Sequence, residues 1–213
     1  MAGLALLLLI AHGARILMPA NESLAFLMGA SLQPDRFWAS LGQGPGGFEP
    51  YNSAFAAAIT LVSEAFLHDG WGAALLNAAL VVMLGRPVHQ GLGGTGQAAP
   101  ARFLILFICS VVGGSLAHLL WHYPAGIALI GASGGASGLL GAWFLKGRGP
   151  GGRILSQRFL VVFVAFAAVN IGLIWAGPVL LGARIGWQAH IGGFLAGALA
   201  YRALRPGWTG PRF

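Results

Sequence analysis

Six long apolar runs take up most of this chain, and almost no charge interrupts them: residues 2–18, about 54–84, 103–120, about 131–145, 159–179 and about 185–204. Only 8% of the 213 residues are charged, against about a quarter in soluble domains. So few charges cannot cover a water-facing surface, so the apolar side chains must face lipid. Six helices of about 20 residues nearly use up the length. The expectation is an all-α membrane protein, a six-helix bundle forming one domain over 1–213, with its motif-bearing core at about 54–204. The runs are rich in Gly and Ala, which lets helices approach closely in a bilayer. Residues 1–9 lack a basic leader, so 2–18 is expected as a retained helix rather than a cleaved signal.

The formal charge of +7 sits mainly in the connections. Arg86 and Arg102 flank one loop; Lys146, Arg148, Arg153 and Arg158 fill another; Arg202, Arg205 and Arg212 follow the last run. The alternate connections carry little positive charge, and the long first loop, 20–53, holds Glu22, Asp35 and Glu49 against Arg36. The positive-inside rule then places both termini in the cytoplasm, with the first loop, 123–130 and 177–184 facing outward. This pattern marks topology and argues against a nucleic-acid partner. The single cysteine, Cys109, cannot form an internal disulfide and reads as a small core residue.

Polar groups within such runs are costly and point to function. Three sets stand out: Gly131-Ala132-Ser133-Gly134-Gly135-Ala136-Ser137-Gly138, then Ala189-His190-Ile191-Gly192-Gly193, and His68-Asp69-Gly70-Trp71 with Asn77. Counted along a helix from Lys146 and Arg202, Ser133 and His190 rise about 20 and about 18 Å above the cytoplasmic edge. Asn77, counted from Arg86, rises about 14 Å, one turn deeper. Gly134, Gly138 and Gly141 share one helix face, and His190, Gly193 and Gly197 share another. Such faces bring backbones together, near enough for an imidazole to take a serine proton. A third, acidic member is not expected: Glu22, Asp35, Glu49, Glu64 and Asp69 all precede residue 70. The reading is a Ser133–His190 dyad, with the oxyanion held by backbone N–H groups at Ser133 and by the Asn77 amide.

These boxes resemble the rhomboid family of intramembrane serine proteases over about 64–204. Its G-x-S-G box corresponds to Gly131, Ser133 and Gly134, with Gly138 and Gly141 following. Its A-H-x-x-G-x-x-x-G box corresponds to Ala189, His190, Gly193 and Gly197, and its helix-2 pattern to His68, Gly70-Trp71 and Asn77. The resemblance implies a six-helix fold, no cofactor and cleavage of single-pass transmembrane substrates near the outer face of a bilayer. It suits a multi-pass protein of a prokaryotic inner membrane. Two positions depart from the family pattern: Ala73 stands where many members carry a second oxyanion-binding His, and Ser137 where many carry an aromatic packed on the imidazole. The usual Trp-Arg pair of the first loop is not evident. A non-proteolytic relative that binds transmembrane helices is the alternative reading.

G-A-S-G occurs twice, but glycines five and eight residues on follow Ser133 (Gly138, Gly141) and not Ser137 (Ala142, Leu145). His118 and His122 have the i, i+4 spacing of a metal pair. No acid or cysteine lies near them in sequence, and the expectation there is interfacial residues without a metal. His68 is expected to anchor a loop, and His12 and His89 carry no usable signal. The letters G-x-S-x-G also occur, but that elbow needs a strand and a soluble sheet, which these runs do not supply.

Overall fold

A computed structural model describes residues 1–44, 46–146, 156–180 and 185–207. Its helices are α1 (Ala2–Ile16), α2 (Ala20–Ala30), α3 (Pro34–Ser40), α4 (Ala54–Ser63), α5 (Trp71–Gly91), α6 (Ala99–Trp121), α7 (Ser133–Lys146), α8 (Gln157–Leu180) and α9 (Trp187–Leu204). Among the described residues the sole extended pairing is one antiparallel bridge, Leu32 with Leu129. The all-helical expectation therefore holds, but Cys109, expected in the core, is exposed on α6. The basic residues Arg148, Arg153, Arg184 and Arg212 lie outside the described residues.

Segments 71–91, 99–121 and 157–175 are long and apolar enough to cross a membrane, and Ala2–Ile16 and Ala54–Phe66 are shorter apolar segments. The second sequence run is not one helix. Ser53 caps α4 by accepting from the Ala56 N–H at 3.0 Å. A 3₁₀ turn follows at Glu64–Phe66, Leu67 and Gly70 are extended, and α5 starts afresh at Trp71. At its other end α5 passes Arg86 and Pro87 and stops at Gly91. Arg86 is therefore not its end.

The centre of the bundle is α7, whose residues Gly134 to Gly138 are all buried. It lies against α9 with almost no side chain between, and α9 lies equally close to α6. A Cβ added at Gly193 would land on the Gly134 carbonyl, one at Gly197 on Gly138, and one at Gly192 on the Gly113 carbonyl of α6. Glycine is required at these positions because backbone, which cannot step aside, occupies the space.

α8 is attached differently. Phe159, Phe163 and Phe166 stack on Phe194 of α9 with ring centroids 5.7, 5.8 and 4.7 Å away. On its outer side Val161, Val164, Val169, Ile171 and Trp175 are exposed, an apolar surface suited to lipid.

The segment 20–53, expected as a plain loop, is largely folded. Pro34 at the first turn and Asp35 favour the start of α3. The Tyr51 hydroxyl donates to the Ser31 carbonyl at 2.6 Å and accepts from the Gln33 N–H at 3.0 Å. Arg36 stacks over the Tyr51 ring at 4.3 Å and donates to the carbonyls of Met28 and Glu49. Leu32, Phe37, Tyr51, Ala57, Leu119, Leu129 and Ala189 form a small core beneath this cap, beside the start of α9. No local periodicity marks it, because long-range contacts hold it together.

Candidate active site

The serine stands at the first residue of α7 because of the backbone before it. Gly131 has φ +112°, a left-handed conformation that a side chain disfavours. Its N–H donates to the Glu64 carbonyl at 2.9 Å, which ties the turn before Ser133 to the 3₁₀ turn before α5. Two further contacts steady the approach to that turn. Leu129 and Leu32 exchange backbone bonds of 2.8 and 3.2 Å. His118, fully buried, pairs through Nε2 with the Ile127 carbonyl at 2.9 Å. His118 thus pins the loop, and His122 lies beside it at a ring separation of 4.5 Å.

Across the glycine contact, the Ser133 hydroxyl and His190 Nε2 are 2.8 Å apart. Both residues are half-buried, so the hydroxyl is held without being sealed off. Ser133, not Ser137, meets the imidazole. Ser137 lies buried along α7. The small-residue faces read from the sequence are what bring this pair together.

Asn77 borders the same space. A Cβ built on Gly131 would stand 3.9 Å from Asn77 Nδ2 and 4.0 Å from Ser133 Oγ. The expected one-turn offset of Asn77 came from taking Arg86 as the membrane edge. Counted from Gly91, where α5 ends, Asn77 rises about 21 Å and shares the serine's level. Ala73, one turn earlier on α5, is exposed and offers no donor. The N–H groups of Ser133, Gly134 and Gly135 open α7; the first i→i−4 bond with Ala132 comes from Ala136, at 2.9 Å. Leading N–H groups of a helix have no intrahelical partner, and the dipole there favours negative charge.

The residue that sequence reading missed is Asn170. It is 3% exposed and lies midway along α8. Its Oδ1 is 2.6 Å from His190 Nδ1, and its Nδ2 donates to the Phe166 carbonyl at 2.8 Å. The expected two-membered arrangement therefore has a third polar neighbour, an amide where other sites place a carboxylate. The rule applied to Ser133 and His190, that a polar group inside an apolar run needs a reason, would have found it.

The histidines at the other end of the α5 connection have a packing role. His68 is buried, its carbonyl accepts from Arg15 at 2.8 Å, and its ring meets His12 edge-on at 6.1 Å. Burial, with His12 and Arg15 nearby, lowers the His68 pKa to about 4, so its ring is neutral at neutral pH. His12 in turn packs on Trp71 at 4.8 Å. The anchoring role expected of His68 runs through its backbone carbonyl.

An all-helical chain with several apolar helices, and polar groups converging inside it, defines a multi-pass integral membrane protein. A model of the rhomboid domain matches residues 56–206, from early α4 to just past α9. The chain belongs to the rhomboid family. A search of curated proteins found no match.

Proposed function

We propose that this protein is an intramembrane serine endopeptidase, and the observation that carries the reading is the 2.8 Å approach of the Ser133 hydroxyl to His190 Nε2. His190 takes the hydroxyl proton as Ser133 Oγ attacks the scissile carbonyl. The oxyanion forms among the leading N–H groups of α7 and the Asn77 amide. The imidazolium then protonates the leaving amine, and water hydrolyses the acyl-enzyme by the same route in reverse. No metal or other cofactor takes part.

The proposal includes six membrane crossings, both termini in the cytoplasm of a prokaryotic inner membrane, and single-pass membrane proteins as substrates. Substrate segments pass sideways between helices near the outer face. Gly, Pro or small residues favour cleavage there, because a scissile amide must leave its regular helix to be attacked.

The second reading, a non-proteolytic binder of transmembrane helices, is favoured by one observation, the missing donor at Ala73. A fluorogenic transmembrane substrate and the detergent-solubilised protein separate the two. Ser133→Ala and His190→Ala should each lower cleavage by at least about 10³-fold, and Asn77→Ala by about 10²–10³-fold. Ser137→Ala should leave it near wild type. Unchanged cleavage by Ser133→Ala rejects this nucleophile, and wild-type protein inert toward every substrate favours the binder.

A further inference from the structure

We propose that Asn170 is the positioning residue that sets the protonation pattern of His190, so that α8 supplies the group that makes the imidazole a base. This rests on the Ser133–His190 reading above.

Asn170 is the only side chain between Phe159 and Trp175 that carries an amide, hydroxyl or charge. It is buried while its neighbours Val169 and Ile171 are open on the outer side, so it points into the bundle. A polar residue turned inward in a lipid-facing helix needs partners, and it has two. Its Nδ2 is committed to the Phe166 carbonyl, one turn back on the same helix. A carbonyl only accepts, so this bond fixes which end of the amide is nitrogen. The end facing His190 is then Oδ1, which also only accepts.

At 2.6 Å from that oxygen, His190 Nδ1 must carry the hydrogen. In a neutral imidazole the other nitrogen, Nε2, then holds the lone pair. That lone pair faces the Ser133 hydroxyl. The opposite tautomer would aim two lone pairs at each other across the Asn170 contact and turn an N–H toward the hydroxyl it should deprotonate. The chain from the Phe166 carbonyl to Asn170, His190 and Ser133 therefore has one consistent direction of donation, ending at the nucleophile. A carboxylate is not needed to select the tautomer. It would differ in one respect: its charge would stabilise the imidazolium and raise the pH at which the base becomes protonated.

That difference is the test. Wild type, Asn170→Leu and Asn170→Asp, in detergent, are compared for kcat and KM across pH with the fluorogenic transmembrane substrate. The same proteins, labelled with ¹⁵N-histidine, report the tautomer of His190, assigned by loss of its signals in His190→Ala. Asn170→Leu should lower kcat by about 10²-fold, the lower end of what a positioned base contributes, with KM little changed. Its His190 signals should show the Nε2–H tautomer gaining population. Asn170→Asp should restore most of kcat and move the acid limb of the pH profile to higher pH.

Wild-type kcat in Asn170→Leu, or His190 without an Nδ1–H in the wild type, overturns the proposal. So does an Asn170→Asp variant whose acid limb stays where it was, the result expected if the residue only ties helices together. The tautomer is read without cleavage, so the inference stands or falls separately from the protease reading. Should Asn170→Leu not fold, the wild-type tautomer and the Asn170→Asp profile decide.

Discussion

α7 and α8 are neighbours in sequence, yet they are held in the bundle by opposite means. α7 meets α9 through backbone, with Gly193 and Gly197 against Gly134 and Gly138. α8 meets α9 through side chains, three phenyl rings around Phe194 and one amide on His190. Backbone contact leaves nothing to repack, so the α7–α9 distance has little room to change. Rings can slide and tilt at modest cost. Placing Ser133 and His190 on the stiff pair keeps the hydroxyl near the imidazole, while the helix that carries Asn170 sits on the softer contact.

Substitutions that exchange these properties test the contrast. The largest effect is expected from Gly193→Val: its side chain meets the Gly134 carbonyl, and the cost should exceed about 3 kcal/mol, the upper end of ordinary overpacking. Little monodisperse protein should survive size exclusion. A variant as stable as wild type would mean that the helices are not in backbone contact. Phe194→Ala comes next. Phe194 is fully buried, and losing it should cost about 3 kcal/mol in a denaturant titration in detergent. Such a variant should still fold, with Ser133 and His190 on an intact α7–α9 pair and α8 unseated. The smallest effect belongs to Gly172→Ala on α8. Nothing lies within 4 Å of the added methyl, so stability should be unchanged or rise by up to about 1 kcal/mol, the helix-propensity gain over glycine. A marked loss there would show that α8 is packed on a side now read as open to lipid.

The same contrast explains what could be read from the residues alone. Helices were legible because apolar runs this long have few other ways to satisfy their backbone in lipid. The Ser133–His190 pair was legible because polar residues among glycines stand out against an apolar background. The break at residues 67–70 was passed over because apolar residues flank it on both sides, although His68-Asp69-Gly70 interrupt the run with residue types that favour turns. Arg86 looked like the end of a helix, but buried Gly85 and Val88 carry α5 onward. The folded cap over 20–53 depends on Tyr51 reaching Ser31 and on Leu32 pairing with Leu129, contacts with no local signature. Asn170 stood out by the same rule but was passed over, since no glycine-flanked motif marks it as Ser133 and His190 are marked.

His190 touches groups from two other helices, the hydroxyl of α7 and the amide of α8. Its reactivity thus behaves as a logical conjunction: each segment must be docked before the imidazole both holds its hydrogen on the right nitrogen and finds a hydroxyl waiting. On the proposed reading, a serine without the docked α8 still meets its imidazole but is only weakly activated. If the centre is hydrolytic, as proposed, it would reach full activity only once its own assembly is complete.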